Sequence, residues 1–383
     1  MIPLCIPNIS GNEGPYLAEC VSSTFVSSVG PFVTRFEEET RDLTGAAWAV
    51  ATSAGTTALH AALHSLGVGP GDHVIIPSLT FIATANAVAH CHATPIIMDI
   101  DAERWCLDTT LLAEMLSTDA ERDAEGVLRL RATGGAIKAI MPVFAMGLPA
   151  DMDALTRIAR DYNLPVVADA AAAIGAKYKG RPLAQMGADL TAISFNGNKL
   201  VTAGGGGAIV STRETLGPPL KHLTSTARVG ALYDHDVVGF NYRMTNLQAA
   251  VGVAQLEQLD AFLAAKARIA GTYADAFSDV AGLEAFPATD DSQGSHWLSG
   301  IYVHDATLAD MSELREQLTK SGIEGRAFWK PIHLQTPYLD CPTALHGRSD
   351  HVWERVQPLP CSTQLKEAEQ AKVIKVVRSV FGS

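Results

Sequence analysis

Between about residues 45 and 210, short continuous apolar runs alternate with segments whose apolar positions recur at helical spacing. Strands are predicted by HVII (73–76), ATPIIMDID (93–101), GAIKAIMPVF (135–144) and LPVVADAAA (164–172). Thr56 to Leu66, Ala83 to His90 and Asp151 to Tyr162 predict the intervening helices. Continuous apolar strands separated by helices indicate a parallel sheet covered on both faces, whose ligands bind at the strands' carboxyl ends. The texture changes near residue 245. TNLQAAVGVAQLEQLDAFLAAKARIAGTYADAF (245–277) predicts one long helical stretch. A strand in HWLSGIYVH (296–304), a helix over 308–322 and a final helix over 365–380 follow. The expected fold class is therefore α/β: a large domain over 1–245, with an N-terminal arm at about 1–15, and a smaller α+β domain over 246–383. The charge-rich segment 117–135 reads as a surface insertion.

Composition narrows the function. A formal charge of −12 argues against a nucleic-acid partner, which a basic surface would attract. It leaves room for a phosphorylated ligand in a cleft with a few cations. The six cysteines are scattered without a C-x-x-C pair, as expected of reduced thiols in the cytoplasm. The start lacks the pattern of a signal peptide, and no apolar run approaches the ~18–20 residues that span a bilayer. No membrane association is expected.

The stretch ISFNGNKLVTAGGGGAIVS (193–211) sets Lys199 beside four consecutive glycines. A phosphate loop of the G-x-x-x-x-G-K-[ST] type would place glycines before the lysine and a hydroxyl after it. Here the glycines follow, and Leu200 takes the hydroxyl's place. A bare hairpin accounts for the glycines but not for the lysine. Anchorage of pyridoxal phosphate accounts for more residues. It needs a lysine able to lose its proton and a carboxylate for the pyridine nitrogen, which Asp169 at a strand's carboxyl end can supply. It needs backbone N–H groups for the phosphate, which Ser53 to Thr57 offer where they run into a helix. It also needs a flat apolar surface, for which Phe81 is the candidate. Taken singly, Asp169 reads equally as a capping or ion-paired acid, Ser53 to Thr57 as a plain N-cap, and Phe81 as core. The pair His60 and His64 reads as helix packing rather than a metal site, and Asp99 and Asp101 as solvated turn acids; no metal is expected.

The ordered motifs TSAGTTALHAAL, VIIPSLTFIATANAV, VVADAAAAIGA, SFNGNK…GGGGA and GFNYRMTNLQAAVGVAQL resemble the DegT/DnrJ/EryC1/StrS family of sugar aminotransferases over nearly the whole chain. The resemblance implies the aspartate-aminotransferase type I fold, a homodimer with a shared active site, and amino transfer from L-glutamate to a nucleotide-linked keto sugar in two stages. It makes Lys199 the Schiff-base lysine and proton carrier, Asp169 the partner of the pyridine nitrogen, and Phe81 the ring's stacking surface. Gly55, Thr56 and Ser194 would hold the phosphate, joined by Asn241 from the other subunit. The chain departs from the family at Ala172, where Glu, Gln or His is usual, at Ala168, where Glu is frequent, and at Phe144, where His is common.

SFNGNK, VSSVGPFV and FWKPIHLQ are similar to the subgroup that aminates C4 of UDP-4-keto-6-deoxy-N-acetylglucosamine. Trp329 would then pack on a sugar or base, with Arg326, Lys330 and His333 at the pyrophosphate. The alternative is a tryptophan of the small-domain core with surface cations around it. A GDP- or dTDP-linked keto sugar stays open as substrate, as do a sugar dehydratase and a non-catalytic regulator on the same fold. Retention of Lys199 and Asp169 counts against the last two.

Overall fold

The structure is a computed structural model that describes residues 1–381 of the chain. Its organising element is one continuous sheet. In chain order the strands are β1 (Trp48–Thr52), β2 (His73–Pro77), β3 (Thr94–Met98), β4 (Ile137–Ile140), β5 (Val167–Asp169), β6 (Leu190–Ser194) and β7 (Gly207–Ser211). Their spatial order is β3-β2-β4-β5-β6-β7-β1, with β4 and β5 joined by the bridges Ile140–Val166 and Val143–Asp169. Only β7 runs antiparallel to its neighbours in this sheet. Residues Ile75, Ile76, Ile97, Ala192 and Ile209 are buried, as continuous apolar strands between two helical layers must be. The four strand predictions and the three helix predictions in this half hold within a few residues.

The helices are α1 (Glu13–Ser22), α2 (Pro31–Thr44), α3 (Gly55–Ser65), α4 (Ala83–His90), α5 (Thr109–Thr118), α6 (Met152–Asp161), α7 (Gly217–Thr224), α8 (Asn246–Leu256), α9 (Leu259–Phe277), α10 (Leu308–Lys320), α11 (Arg348–Arg355) and α12 (Glu367–Phe381). A second, antiparallel sheet of β8 (Leu283–Ala285), β9 (Ser299–Val303) and β10 (Val356–Leu359) has the order β8-β9-β10 and packs with α9 and α11. Among the described residues, no helix is long and apolar enough to cross a membrane.

Several elements differ from the sequence expectation. The long helix over 245–277 is broken at Glu257 and Gln258. The Glu257 carboxylate is fixed by Tyr16 Oη at 2.6 Å, Asn12 Nδ2 at 2.7 Å and Arg35 Nη2 at 2.6 Å, which anchors the turn to α1 and α2. Helix α8 packs on those same two helices. The segment after Pro331 also returns to the large sheet, where Thr343–Ala344 pairs in parallel with β3. Helix α8 and the stretch 331–349 thus both pack on elements of the first 245 residues. The insertion 117–135 folds as the hairpin Ala120–Arg122 with Leu128–Leu130.

Asp99 is fully buried rather than solvated. Its carboxylate accepts N–H groups from Ile100, His346, Arg348 and Ser349, so it caps α11 and ties that helix to the end of β3. Burial alone would raise its pKa, but these donors hold it below the usual carboxylate range. Asp99→Ala should therefore cost about 3 kcal/mol or more of stability, because four donors lose one charged acceptor. A folded pKa below the unfolded one adds stability above the unfolded value, ~3.9 for Asp, and loses it as pH falls through the folded value. Thermal melts should show a large gap between wild type and variant at pH 7 that narrows below about pH 4.

Candidate active site

The sequence-selected residues gather at the carboxyl edge of the large sheet, as expected of a parallel sheet. Asp169 ends β5 and Ser194 ends β6. The chain leaving β1 turns at Ala54 into α3, so Gly55 and Thr56 are the first residues of that helix. Their N–H groups have no acceptor within the helix and carry the positive end of its dipole. Thr57 Oγ1 fixes the turn, accepting from the Ala54 N–H at 3.0 Å. A side chain at Gly55 would meet Ser194, its Cβ falling 2.7 Å from the Ser194 Cβ. The glycine thus keeps open a recess bounded by helical N–H groups and the Ser194 hydroxyl.

The four glycines have separable roles. Gly204 and Gly206 take φ values of 74° and 124°, which side chains resist. At Gly207 a Cβ would fall 2.5 Å from the Ala54 carbonyl oxygen, so β7 can pass this close to the start of α3 only as glycine. The glycines therefore shape the close approach to the start of α3 as well as the hairpin that carries Lys199.

Lys199 sits in the β6–β7 loop with its Nζ 3.6 Å from the ring centroid of Trp297, a cation–π distance. Trp297 is itself fixed, donating from Nε1 to the Asn198 carbonyl at 2.7 Å. Burial pushes the Lys199 amine down to about 8, against the opposing pull of Asp169 and Cys5. Asp169 is buried, accepting from Thr84 Oγ1 at 2.7 Å and from the Ala171 N–H at 3.1 Å. Burial raises its pKa, while Thr84, Ala171 and Lys199 work in the opposite direction. A carboxylate stripped of water in this way favours a cationic partner.

An aromatic wall extends outward from Lys199. Trp297 stacks on Trp329 at 5.8 Å, and Trp329 lies 6.1 Å from Phe81, which is 55% exposed and so has a free face. The expected cation cluster does not assemble as free charges. Arg326 pairs with Glu324. His333 meets Ser78 Oγ through Nδ1 at 2.6 Å and Asp350 through Nε2 at 3.1 Å. Lys330 is exposed. Asn241 is also exposed, next to an outlying hairpin (Arg228–Val229 with Asp234–His235) that presents Leu232, Tyr233 and Val238 to solvent. Ala172 places a buried methyl here, and its carbonyl is taken by Ser295 Oγ at 2.6 Å. Phe144 belongs to the core. His60 contacts the Tyr242 hydroxyl at 3.1 Å through Nδ1. Trp297 and Thr84 are additions that the sequence does not suggest; Trp297 lies in an apolar run with no local signal of a site.

A family model for DegT/DnrJ/EryC1/StrS aminotransferases matches residues 7–378. The chain belongs to this family. It is 36% identical to GDP-perosamine synthase of Caulobacter vibrioides over 99% of this chain and 98% of that one. It is likewise 36% identical to GDP-perosamine synthase of Escherichia coli O157:H7 over 88% and 87%. The crystal structure of a DegT/DnrJ/EryC1/StrS aminotransferase from Brucella abortus superposes with a TM-score of 0.87 at 28% identity, covering 97% and 96% of the two chains. This sugar aminotransferase has the type I fold and uses pyridoxal phosphate. The site fits that group: a glycine-walled recess with helical N–H donors, a desolvated carboxylate, and an amine of lowered pKa stand on one sheet edge.

A pH dependence follows. The nucleophilic amine is the neutral form, so cofactor-free protein should take up pyridoxal phosphate faster as pH rises through about 8. The Asp169 charge favours the ammonium, so Asp169→Asn should move that midpoint to lower pH. Stopped-flow absorbance reads both; a midpoint near the ordinary lysine value of ~10.4 would contradict the burial argument.

Proposed function

We propose that the protein transfers the amino group of L-glutamate to C4 of a GDP-linked 4-keto sugar, acting as a homodimer in the cytoplasm. The observation that carries the chemistry is a half-buried, low-pKa lysine placed within the field of a buried carboxylate at one sheet edge. The nucleotide reading is supported by the two GDP-perosamine synthases to which nearly all or most of the chain is similar. The UDP-linked reading rests on short motifs and on a 33% identical relative, the UDP-N-acetyl-3-dehydro-alpha-D-glucosamine 3-aminotransferase of Acidithiobacillus ferrooxidans, and is the second choice. The free state of all six cysteines supports a reducing compartment.

Bound at this edge, pyridoxal phosphate supplies the electron sink that stabilises negative charge at the donor's Cα and carries the amino group between the two half-reactions. Lys199 would hold the cofactor through its Nζ and, as a free amine, would accept and return the proton of the donor's Cα. Asp169, oriented by Thr84, keeps the proton on the pyridine nitrogen. Gly55, Thr56 and Ser194 hold the phosphate, and Phe81 covers the ring. Trp297 screens one side of the Lys199 amine from water. Asn241 completes the phosphate site of a second copy, and the exposed apolar side chains of the neighbouring hairpin are covered by that copy. Trp329 and Lys330 face the nucleotide sugar, with Arg326 and His333 freed from Glu324 and Asp350 when the pyrophosphate binds.

Lys199→Ala should abolish turnover. Asp169→Ala should retain cofactor but lose ~10²-fold or more in rate, because a preorganised charge interaction is gone. The test of substrate is a panel of GDP-, UDP- and dTDP-linked 3- and 4-keto sugars with glutamate, products being identified by mass and NMR. Exclusive amination of a UDP-linked sugar would overturn the GDP reading and leave the lysine chemistry in place.

A further inference from the structure

Behind Trp297 lies a cluster that the transamination chemistry does not use. Lys266, on α9, is fully buried with its Nζ 2.7 Å from the Trp297 carbonyl oxygen, 3.5 Å from Cys361 Sγ and 3.6 Å from Cys5 Sγ. Its three N–H bonds thus meet one carbonyl and two sulfurs, and no Asp or Glu pairs with it among the described residues. A buried ammonium requires an anion nearby, and here only sulfur can provide it.

The two sulfurs stand far apart in sequence, yet their backbones are neighbours. The Cys361 N–H donates to the Leu4 carbonyl at 2.7 Å, and the Ile6 N–H to Ser362 Oγ at 3.1 Å. Both sulfurs lie within 3.6 Å of the same Lys266 Nζ and share a hydrogen bond, so they already face one another across this short backbone contact. The hydrogen bond with Cys5 and the Lys266 charge bring the Cys361 thiol down to about 6, while that same bond and burial push Cys5 well up. The Lys266 charge and the shared hydrogen bond thus favour a thiolate within the pair. Cys5 is half-buried and faces a cavity of about 80 Å³, lined also by Asn198, Trp297, Arg326 and Trp329. One water needs ~10–15 Å³, so a peroxide fits.

We propose that Cys5 and Cys361 are a modification site: a thiol pair, activated by Lys266, that closes to a disulfide on reaction with a peroxide and thereby lowers the activity of Lys199. The proton shared between the two sulfurs passes to Cys361, and the Cys5 thiolate so formed, the sulfur that lines the cavity, attacks the peroxide, forming an S–O bond and breaking the O–O bond, while hydroxide leaves as water with the Cys361 proton. The second sulfur then displaces hydroxide from the sulfenic acid, which departs as the second water once protonated by solvent. Two thiols and one hydrogen peroxide give one disulfide and two waters, with sulfur oxidised and peroxide reduced.

The link to Lys199 is physical. Cys5 Sγ donates to the Asn198 carbonyl at 3.5 Å, the same oxygen that receives Trp297 Nε1. Lys266 holds the Trp297 carbonyl. Closing the disulfide removes the negative charge facing Lys266 and draws Cys5 off the peptide that precedes Lys199. Both supports of the tryptophan over the amine change together.

The experiment treats full-length holoenzyme with a small excess of hydrogen peroxide and maps peptides without reduction. A linked pair of peptides carrying Cys5 and Cys361, a titratable thiol count lower by two, and a severalfold loss of rate restored by dithiothreitol are expected. Cys5→Ser should show no such cross-link and no thiol-reversible loss relative to its own untreated rate. It leaves Lys266 the Cys361 thiolate, so it stays informative even if Cys361→Ser fails to fold. Absence of the cross-link, or an equal reversible loss in Cys5→Ser, overturns the proposal. The cross-link is read by mass, so its detection does not depend on which sugar is aminated.

Discussion

An amine held 3.6 Å over the face of Trp297, within the field of a buried carboxylate, is the constraint around which the molecule is arranged. The amine must lose its proton near neutral pH, yet it must remain on a hydrogen-bonded loop rather than in the core. Burial achieves the first, and the antiparallel β6–β7 pair achieves the second. The large sheet positions the rest. Parallel strands deliver Asp169 and Ser194 to one edge, and α3 starts at that edge with its N–H groups exposed.

The dependence runs further back into the fold. Trp297 precedes β9 of the second sheet, so the amine's surface comes from a part of the chain distant from its loop. Its carbonyl rests on Lys266, and Lys266 on sulfurs from the N-terminal arm and from the chain after β10. The arm is held in turn by the Leu4 N–H bond to Glu324 at 2.8 Å and by bridging of Ile2 to Ile323. Three distant segments therefore converge on the geometry of one lysine. This convergence explains how a chemical change at Cys5 reaches the reacting amine without entering the cofactor site.

Much of this edge is legible in the sequence because parallel-sheet residues announce themselves. LPVVADA is a continuous apolar run that ends on an acid, and TSAGTTALHAAL is a helix that opens on small residues; neither depends on a distant partner for its reading. The four glycines are legible as a hairpin, but the clash of Gly207 with Ala54 belongs to packing between strands. The sequence misleads at Asp99 because three of the four N–H donors to its carboxylate come from residues 346–349, far along the chain. Arg326 and His333 look like free cations in the sequence, and only the fold supplies Glu324, Ser78 and Asp350 as their partners. Trp297 and the Cys5–Lys266–Cys361 group are invisible for the same reason. Local pattern reports which face a residue takes, not what waits on the other side.

The proposed chemistry requires that Lys199, and no other lysine, anchor the cofactor covalently. Lys266 is buried only one tryptophan away, so the requirement is a sharp one. Borohydride reduction of the purified holoenzyme followed by peptide mapping fixes the label chemically. A phosphopyridoxyl group on Lys199 alone is the predicted result, and a label on Lys266 or Lys330 with Lys199 unmodified would contradict it.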